Sequence, residues 1–271
     1  RELGDWLGAG RPAQIALGGE YRRENFDSHP IREFAQLVSA STGVDPDATS
    51  KGVRNVYAAY GELNVPVNKM LELTGSLRYD KYSDFGDSTN PKISFRFQPS
   101  KEVLFRGSAS TGFRAPTLFE LYSSTSFTNT AGNFNNPINC PGGTAIPGAS
   151  QANCNGQFQV QNGGNPFLKP ATAWQFDLTA EWYFSRVGSL TFDAFYKDVK
   201  NFFFQSVVDF PITNNGITFP VSTRGPANYD GHGKIKGFEV AYQQTFDFLP
   251  GLLSGFGMEA NYSYVESSGL P

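Results

Sequence analysis

The segment Ala171 to Phe184, ATAWQFDLTAEWYF, constrains this chain more than any other. Trp174, Phe176, Leu178, Ala180, Trp182 and Phe184 fall on one face of a period of two, and Gln175, Asp177, Thr179 and Glu181 on the other. A strand with this pattern meets two unlike environments, one wide and apolar, the other charged. The two Trp are eight residues apart, about 26 Å along a strand. A tilt of roughly 40° shortens this to about 20 Å, near the height of the apolar band of a membrane β-barrel. Trp174 and Trp182 therefore read as two interfacial anchors.

The same alternation recurs along the chain. Residues 1 to 12 read as a turn, and Ala13 to Phe26 then sets Ile15, Leu17, Gly19 and Tyr21 against Gln14, Gly18, Glu20 and Arg22. Val53 to Val65 is followed by a tight turn and by Leu71 to Tyr82, the most regular alternation in the sequence. Further strands are predicted around Ile93 to Gln98 and over Val103 to Pro116, Ala171 to Phe184, Leu190 to Phe203, Lys234 to Phe248 and Phe256 to Val265. Ile31 to Val38 reads as a short helix, and AsnAsnGly at 214 to 216 as the turn of a small hairpin. That makes nine long strands.

Their connections sort by length. Those near residues 66, 99, 186 and 251 are short, and those at 27–52, 83–90, 114–170 and 204–233 are mostly long. Short and long connections alternate, as in an up-and-down barrel with short turns on one side and long loops on the other. Nine strands from a chain cut at both ends are too few for the whole sheet of such a barrel. The start at Arg1 and the turn-like end SSGLP also read as those of an internal piece.

Composition agrees. Mean hydropathy is negative and no run approaches the roughly 20 apolar residues of a spanning helix. Aromatic content of 15% and 29 glycines suit strands, girdles and turns. Net charge is -3 with no basic stripe, which gives no support to a nucleic-acid partner. Cys140 and Cys154 lie in one Gly/Pro/Asn-rich loop and permit a single pairing. If oxidised, it closes a loop of about 15 residues and contributes roughly 3 kcal/mol in the chain-entropy picture.

Three motifs then come together: GFRAPT at Gly112 to Thr117, NPFLKP at Asn165 to Pro170, and GFEV at Gly237 to Val240. With the tract YAAYGELNVPVNKMLELTGSLRYDKYSDFG, their order resembles the barrel of TonB-dependent outer-membrane receptors over nearly the whole chain. Ala171 departs from the acidic residue the family often has after LysPro, and no plug domain or TonB box lies within residues 1–271. The resemblance implies an all-β, antiparallel up-and-down transmembrane barrel of about 22 strands, of which this chain is part. It also implies location in the outer membrane of a Gram-negative bacterium and contact with its lipid. An N-terminal plug, the TonB–ExbB–ExbD energy-coupling complex and a small-molecule or oligosaccharide substrate are the implied partners, with no cofactor.

Site expectations follow from the pattern. Arg78, Arg96, Arg106, Asp177, Glu181, Lys197 and Glu239 face the lumen, where they either meet a plug and substrate or hydrate the wall and pair across neighbouring strands. Arg114, where a strand opens into the longest loop, orients a plug or an anionic ligand, or ties down the loop base. Phe119, Tyr122, Phe127, Phe134, Phe158 and Tyr229 are loop aromatics able to stack on a ligand, or to pack the loops on themselves.

The two histidines, His29 and His232, fall in turns, and no metal-ligand spacing, phosphate-binding Gly loop or nucleophile elbow accompanies them. An enzyme is not expected. The expected function is capture of a scarce nutrient (siderophore-iron, cobalamin or oligosaccharide) by the outer loops and TonB-coupled import. The alternatives are a passive porin or channel and a soluble carbohydrate-binding β protein.

Overall fold

A computed structural model describes residues 1–35, 42–44, 49–124, 126–129, 134–136, 139–156, 159–214 and 217–269; the side chains of 42–44, 126–129, 134–135, 159–162, 208–214 and 217–223 lie outside that description. Ten strands form one open antiparallel meander in chain order. They are β1 Glu2–Gly4, β2 Ala13–Ser28, β3 Ser50–Pro66, β4 Leu71–Tyr82, β5 Gly86–Phe97, β6 Val103–Arg114, β7 Ala171–Ser185, β8 Gly188–Lys200, β9 His232–Thr245 and β10 Gly257–Ser268.

Register explains why the alternation in sequence becomes two continuous faces. Opposite Leu178 stand Gly107 on β6 and Ala194 on β8, and opposite Ala194 stands Phe238 on β9. Each apolar residue thus lies beside others of its kind, and the apolar face runs unbroken from β2 to β10. It is unburied by any second layer: Trp174, Leu178 and Trp182 are 52%, 53% and 53% exposed. Aromatic side chains pave it in cross-strand pairs, including Tyr21–Tyr57 at 5.1 Å, Phe97–Phe105 at 6.3 Å and Phe192–Phe238 at 5.9 Å between ring centroids. The ring of Phe95 lies over Gly107, where a Cβ would stand only 2.3 Å from it, so glycine is what lets this aromatic lie flat on the wall. No helix among the described residues is long and apolar enough to cross a membrane; the apolar surface belongs to the strands.

Several boundaries differ from the sequence expectation. Residues 1 to 12 are not wholly a turn, because Glu2 pairs with Gln14. The loop expected at 83–90 is a turn over 83–85, and β5 begins at Gly86. The strand expected to run to Phe203 stops at Lys200, where Asn201 takes φ 53 and breaks the extended chain. The strand expected to reach Phe248 ends at Thr245, and that expected from Val53 starts at Ser50. The helix expected over Ile31 to Val38 is a single turn, Arg32–Ala35, within the described residues.

The two rims are unlike. One carries the connections 66–71, 97–103, 185–188 and 245–257; the other carries the tight 82–86 turn and three long connections, 28–50, 114–171 and 200–232.

Candidate functional site

The three long connections build a second sheet at their rim. Its order is Phe203–Asn214, Ile217–Asn228, Gln159–Asn162, Ser126–Asn129, Thr42–Val44. The first two strands are the hairpin foreseen around AsnAsnGly, with Asn214 opposite Ile217. Gln159–Asn162 then joins it in parallel, Gln161 opposite Thr223 and Asn162 opposite Arg224. Ser126–Asn129 pairs on its other side, and Val44 reaches Ser126 from the first connection. Parallel pairing needs a long crossover, and here the crossover is the barrel wall itself.

The bases of these loops are fastened by short-range chemistry. After β6 the chain turns at Pro116 into the helix α1, Leu118–Tyr122, capped by Thr117. The Thr117 hydroxyl accepts from the Glu120 backbone N–H at 3.1 Å, and the Glu120 carboxylate accepts from the Thr117 N–H at 2.8 Å. Arg114 closes the same unit, donating from Nη2 to Glu120 Oε1 at 2.7 Å while its guanidinium lies 4.4 Å from the Phe203 ring centroid. Burial pushes the Glu120 carboxyl up, but the Thr117 N–H, the Arg114 guanidinium and the Thr117 hydroxyl together hold it below the usual carboxylate range. On the return side, Asn165 Nδ2 donates to the Pro226 carbonyl at 3.0 Å. Asn228 accepts from the Lys169 N–H and donates to the Lys169 carbonyl, both at 2.8 Å, and donates to the Asn201 carbonyl at 2.7 Å.

Below the loops, the polar face holds a charge network on β2 to β4. Arg54, only 2% exposed, is bonded to Asp84, Glu24 and the Pro116 carbonyl and lies against the rings of Tyr82 and Phe85. Arg78 binds Asp80 at 2.8 Å and Glu20 at 3.0 Å, and Arg22 bridges Glu20 and Glu24. Glu20, Arg22 and Glu24 continue the alternation of β2, and Arg54 is the second residue of the strand that the sequence reading began at Val53. TLFE at Thr117 to Glu120 is a legible capping box that the sequence reading also passed over.

Most of the expected lumen residues are occupied with neighbouring side chains. Arg106 meets Glu181 at 3.1 Å, and Glu181 also accepts from the Tyr183 hydroxyl. Arg96 donates to Gln98 at 2.5 Å, Ser108 to Asp177 at 3.3 Å and Ser263 to Glu239 at 3.3 Å. Lys197 makes no ion pair or hydrogen bond among the described residues.

Of the loop aromatics, Phe119 is exposed and meets the edge of Phe26 at 6.0 Å. Tyr122 instead covers Gly52, where a Cβ would stand 2.5 Å from its ring. Tyr229 packs inside its own loop against Phe202 at 4.8 Å and Phe204 at 5.9 Å. Phe158 and the side chains of Phe127 and Phe134 lie outside the described residues. Cys140 and Cys154 are joined by a disulfide, Cα atoms 5.3 Å apart.

A cavity of about 300 Å³ opens where the three connections meet. Ser28 and Ser50 contribute from the first, Phe119 and Glu120 from the second, Gln205 and Arg224 from the third. Sequence reasoning missed Ser50, Gln205 and Arg224, because nothing local marks residues this distant as neighbours. Among the described residues no group of three or more His, Cys, Asp or Glu is placed to hold a metal ion.

The family model described as TonB dependent receptor-like, beta-barrel, matches residues 2–270. No curated protein matches the chain at a significant level. Among solved structures, the chain is similar to the siderophore receptor PirA from Acinetobacter baumannii, with 19% identity and a TM-score of 0.65 over 98% of this chain and 35% of that one. A variant of the ferric enterobactin receptor PfeA from Pseudomonas aeruginosa, in complex with enterobactin, gives 18% identity and a TM-score of 0.68 over 96% of this chain and 34% of that one. The copper transporter OprC gives 15% and 0.53 over 94% and 35%. The chain thus spans about a third of the length of these structures.

Proposed function

The chain belongs to the TonB-dependent receptor β-barrel family, and from that premise we propose that it supplies wall and outer loops to an outer-membrane receptor for a scarce nutrient. Its apolar face meets the lipid, its polar face meets an N-terminal plug, and the three long connections meet the substrate on the outer side. Import is driven by TonB acting on the plug.

The observation that carries this reading is the shared loop sheet. Three connections far apart in sequence are paired into one body above the polar face of the wall, and their bases are pinned by Arg114, Asn165 and Asn228. Fixing loops in this way lowers the conformational cost of holding a ligand. Of the cargo classes considered, iron held by a siderophore is favoured. The similar structures of PirA and PfeA are receptors for such chelates, and the cavity among the loops offers aromatic and cationic side chains together.

The test uses the full-length receptor in cells that lack other iron-uptake receptors. Receptor-dependent uptake of a labelled ferric chelate should vanish when TonB is removed and when residues 125–160 are deleted. Uptake that persists without TonB would make the protein a passive channel, and full affinity in the deletion would remove the loops from capture.

A further inference from the structure

The cavity between the three connections is lined by side chains whose bonding is incomplete. Ser50 is 3% exposed, and its hydroxyl is buried without a hydrogen-bond partner among the described residues. Buried polar atoms are nearly always satisfied, so an orphan beside a cavity marks a place where a ligand atom or water belongs. Arg224 also lines the cavity, and its guanidinium makes no ion pair or hydrogen bond among the described residues. Glu120, the carboxylate in the same lining, does not neutralise it, being taken up by Arg114 and by Thr117. Gln205, on the strand paired with that of Arg224, adds an amide with no partner among the described residues. Among serines, glycines and Pro226 the rest of the lining holds two rings, with Phe119 exposed and braced at 90° by Phe26.

We propose that this cavity is a subsite for one planar, anionic oxygen-bearing arm of the substrate, an aryl carboxylate or phenolate, rather than for a whole chelate. A guanidinium fork suits two oxygens in one plane, the Phe119 face suits a ring, and Ser50 and Gln205 supply further hydrogen bonds. The volume, about 300 Å³, holds a single substituted ring and lies at the low end for pockets that enclose drug-sized ligands. The inference rests on the uptake-receptor reading for its biological setting, but its chemistry can be tested apart from it.

Salicylate and salicylamide serve as probes of one shape and different charge, titrated into the purified full-length receptor and followed by ligand-observed NMR. Salicylate should bind at least about tenfold more tightly, and Arg224→Gln should erase that preference, a loss of about 10- to 100-fold for a charged hydrogen-bonded contact. Arg224→Lys, which keeps the charge without the fork, should retain part of it and guards against a Gln variant that fails to fold. Phe119→Ala should weaken both probes alike, whereas Lys101→Gln on the opposite rim should change neither. Equal binding of the two probes, or a preference untouched by Arg224→Gln, overturns the subsite. If that happens while TonB-dependent uptake persists, the subsite alone has failed. A salicylate preference that depends on Arg224 in a receptor importing no chelate would uphold the subsite and remove the uptake reading.

Discussion

Arg54 on β3 donates from Nη2 to the carbonyl of Pro116 at 2.8 Å, tying the wall to the base of the longest loop. The same guanidinium holds Asp84, in the 83–85 turn, at 2.7 Å and Glu24 on β2 at 3.5 Å. One side chain thus joins two neighbouring strands, the 83–85 turn and the loop that enters the candidate site.

Arg54→Ala would leave the Glu24 and Asp84 carboxylates and the Pro116 carbonyl without their shared donor. Breaking a buried charged contact of this kind costs about 3–5 kcal/mol. Denaturant unfolding of the full-length receptor from lipid vesicles should show a loss of that order, with faster hydrogen exchange at 117–122. Arg54→Lys should fall between the two, since an ammonium cannot serve three acceptors in one plane. A wild-type unfolding midpoint in the Ala variant would show that the tie is dispensable.

Arg54 also shows how far the sequence could be read. Alternation revealed the wall because its two faces are unlike, one apolar and one charged, and Leu71–Tyr82 was delimited to the residue. The turn at 83–85 was misread as a longer loop since Gly86 and Pro91 look like loop punctuation. Yet β5 pairs with β6 only from Lys92 onward; Pro91 therefore stands on an unpaired flank, where a missing N–H is tolerated. Loop residues were least legible. Gln161 meets Thr223 and Ser50 shares a cavity with Arg224 through long-range pairing that no local period encodes. Tyr122 and Tyr229 were left open between stacking on a ligand and packing their own loops, because composition cannot say whether an aromatic turns outward or, as here, onto Gly52 or Phe202.

Leu178→Arg tests the apolar face. Leu178 is midway between Trp174 and Trp182 and 53% exposed, so on a lipid-facing strand a cation there should cost about 2–4 kcal/mol. Gln175→Arg, on the opposite face of the same strand, should cost far less. The comparison is made by reversible folding into phosphatidylcholine vesicles; equal costs for the two variants would refute the assignment of faces.

Glu120 gives the loop base a pH dependence of known sign. Its folded-state carboxyl is held below the ordinary value, which is about 4.3 for glutamate. The ionised form therefore stabilises α1 fully above that value, and the contribution is lost as pH falls through the lower, folded one. Hydrogen exchange at 118–123, corrected for intrinsic rate, should be flat from pH 7 to 5 and rise on further acidification. Glu120→Gln should be looser at pH 7 and should lose the acid-dependent step; an acid response unchanged in that variant would point to another carboxylate.

The Cys140–Cys154 disulfide is local in reach. Its sequence separation is 14, for which the chain-entropy picture gives about 3 kcal/mol. That energy acts on a segment held, among the described residues, by bonds that include Asn136 N–H to the Cys154 carbonyl at 2.9 Å. Neither cysteine lies in the ten-stranded wall. Cys140→Ser/Cys154→Ser should therefore expose 139–156 to limited proteolysis by at least about tenfold, following a local opening energy of that size, while the denaturant midpoint of the barrel stays at the wild-type value. If the midpoint falls together with protease resistance, the clip is coupled to the wall, and the loop sheet that lies between them is the path to examine by deleting Ser126–Asn129.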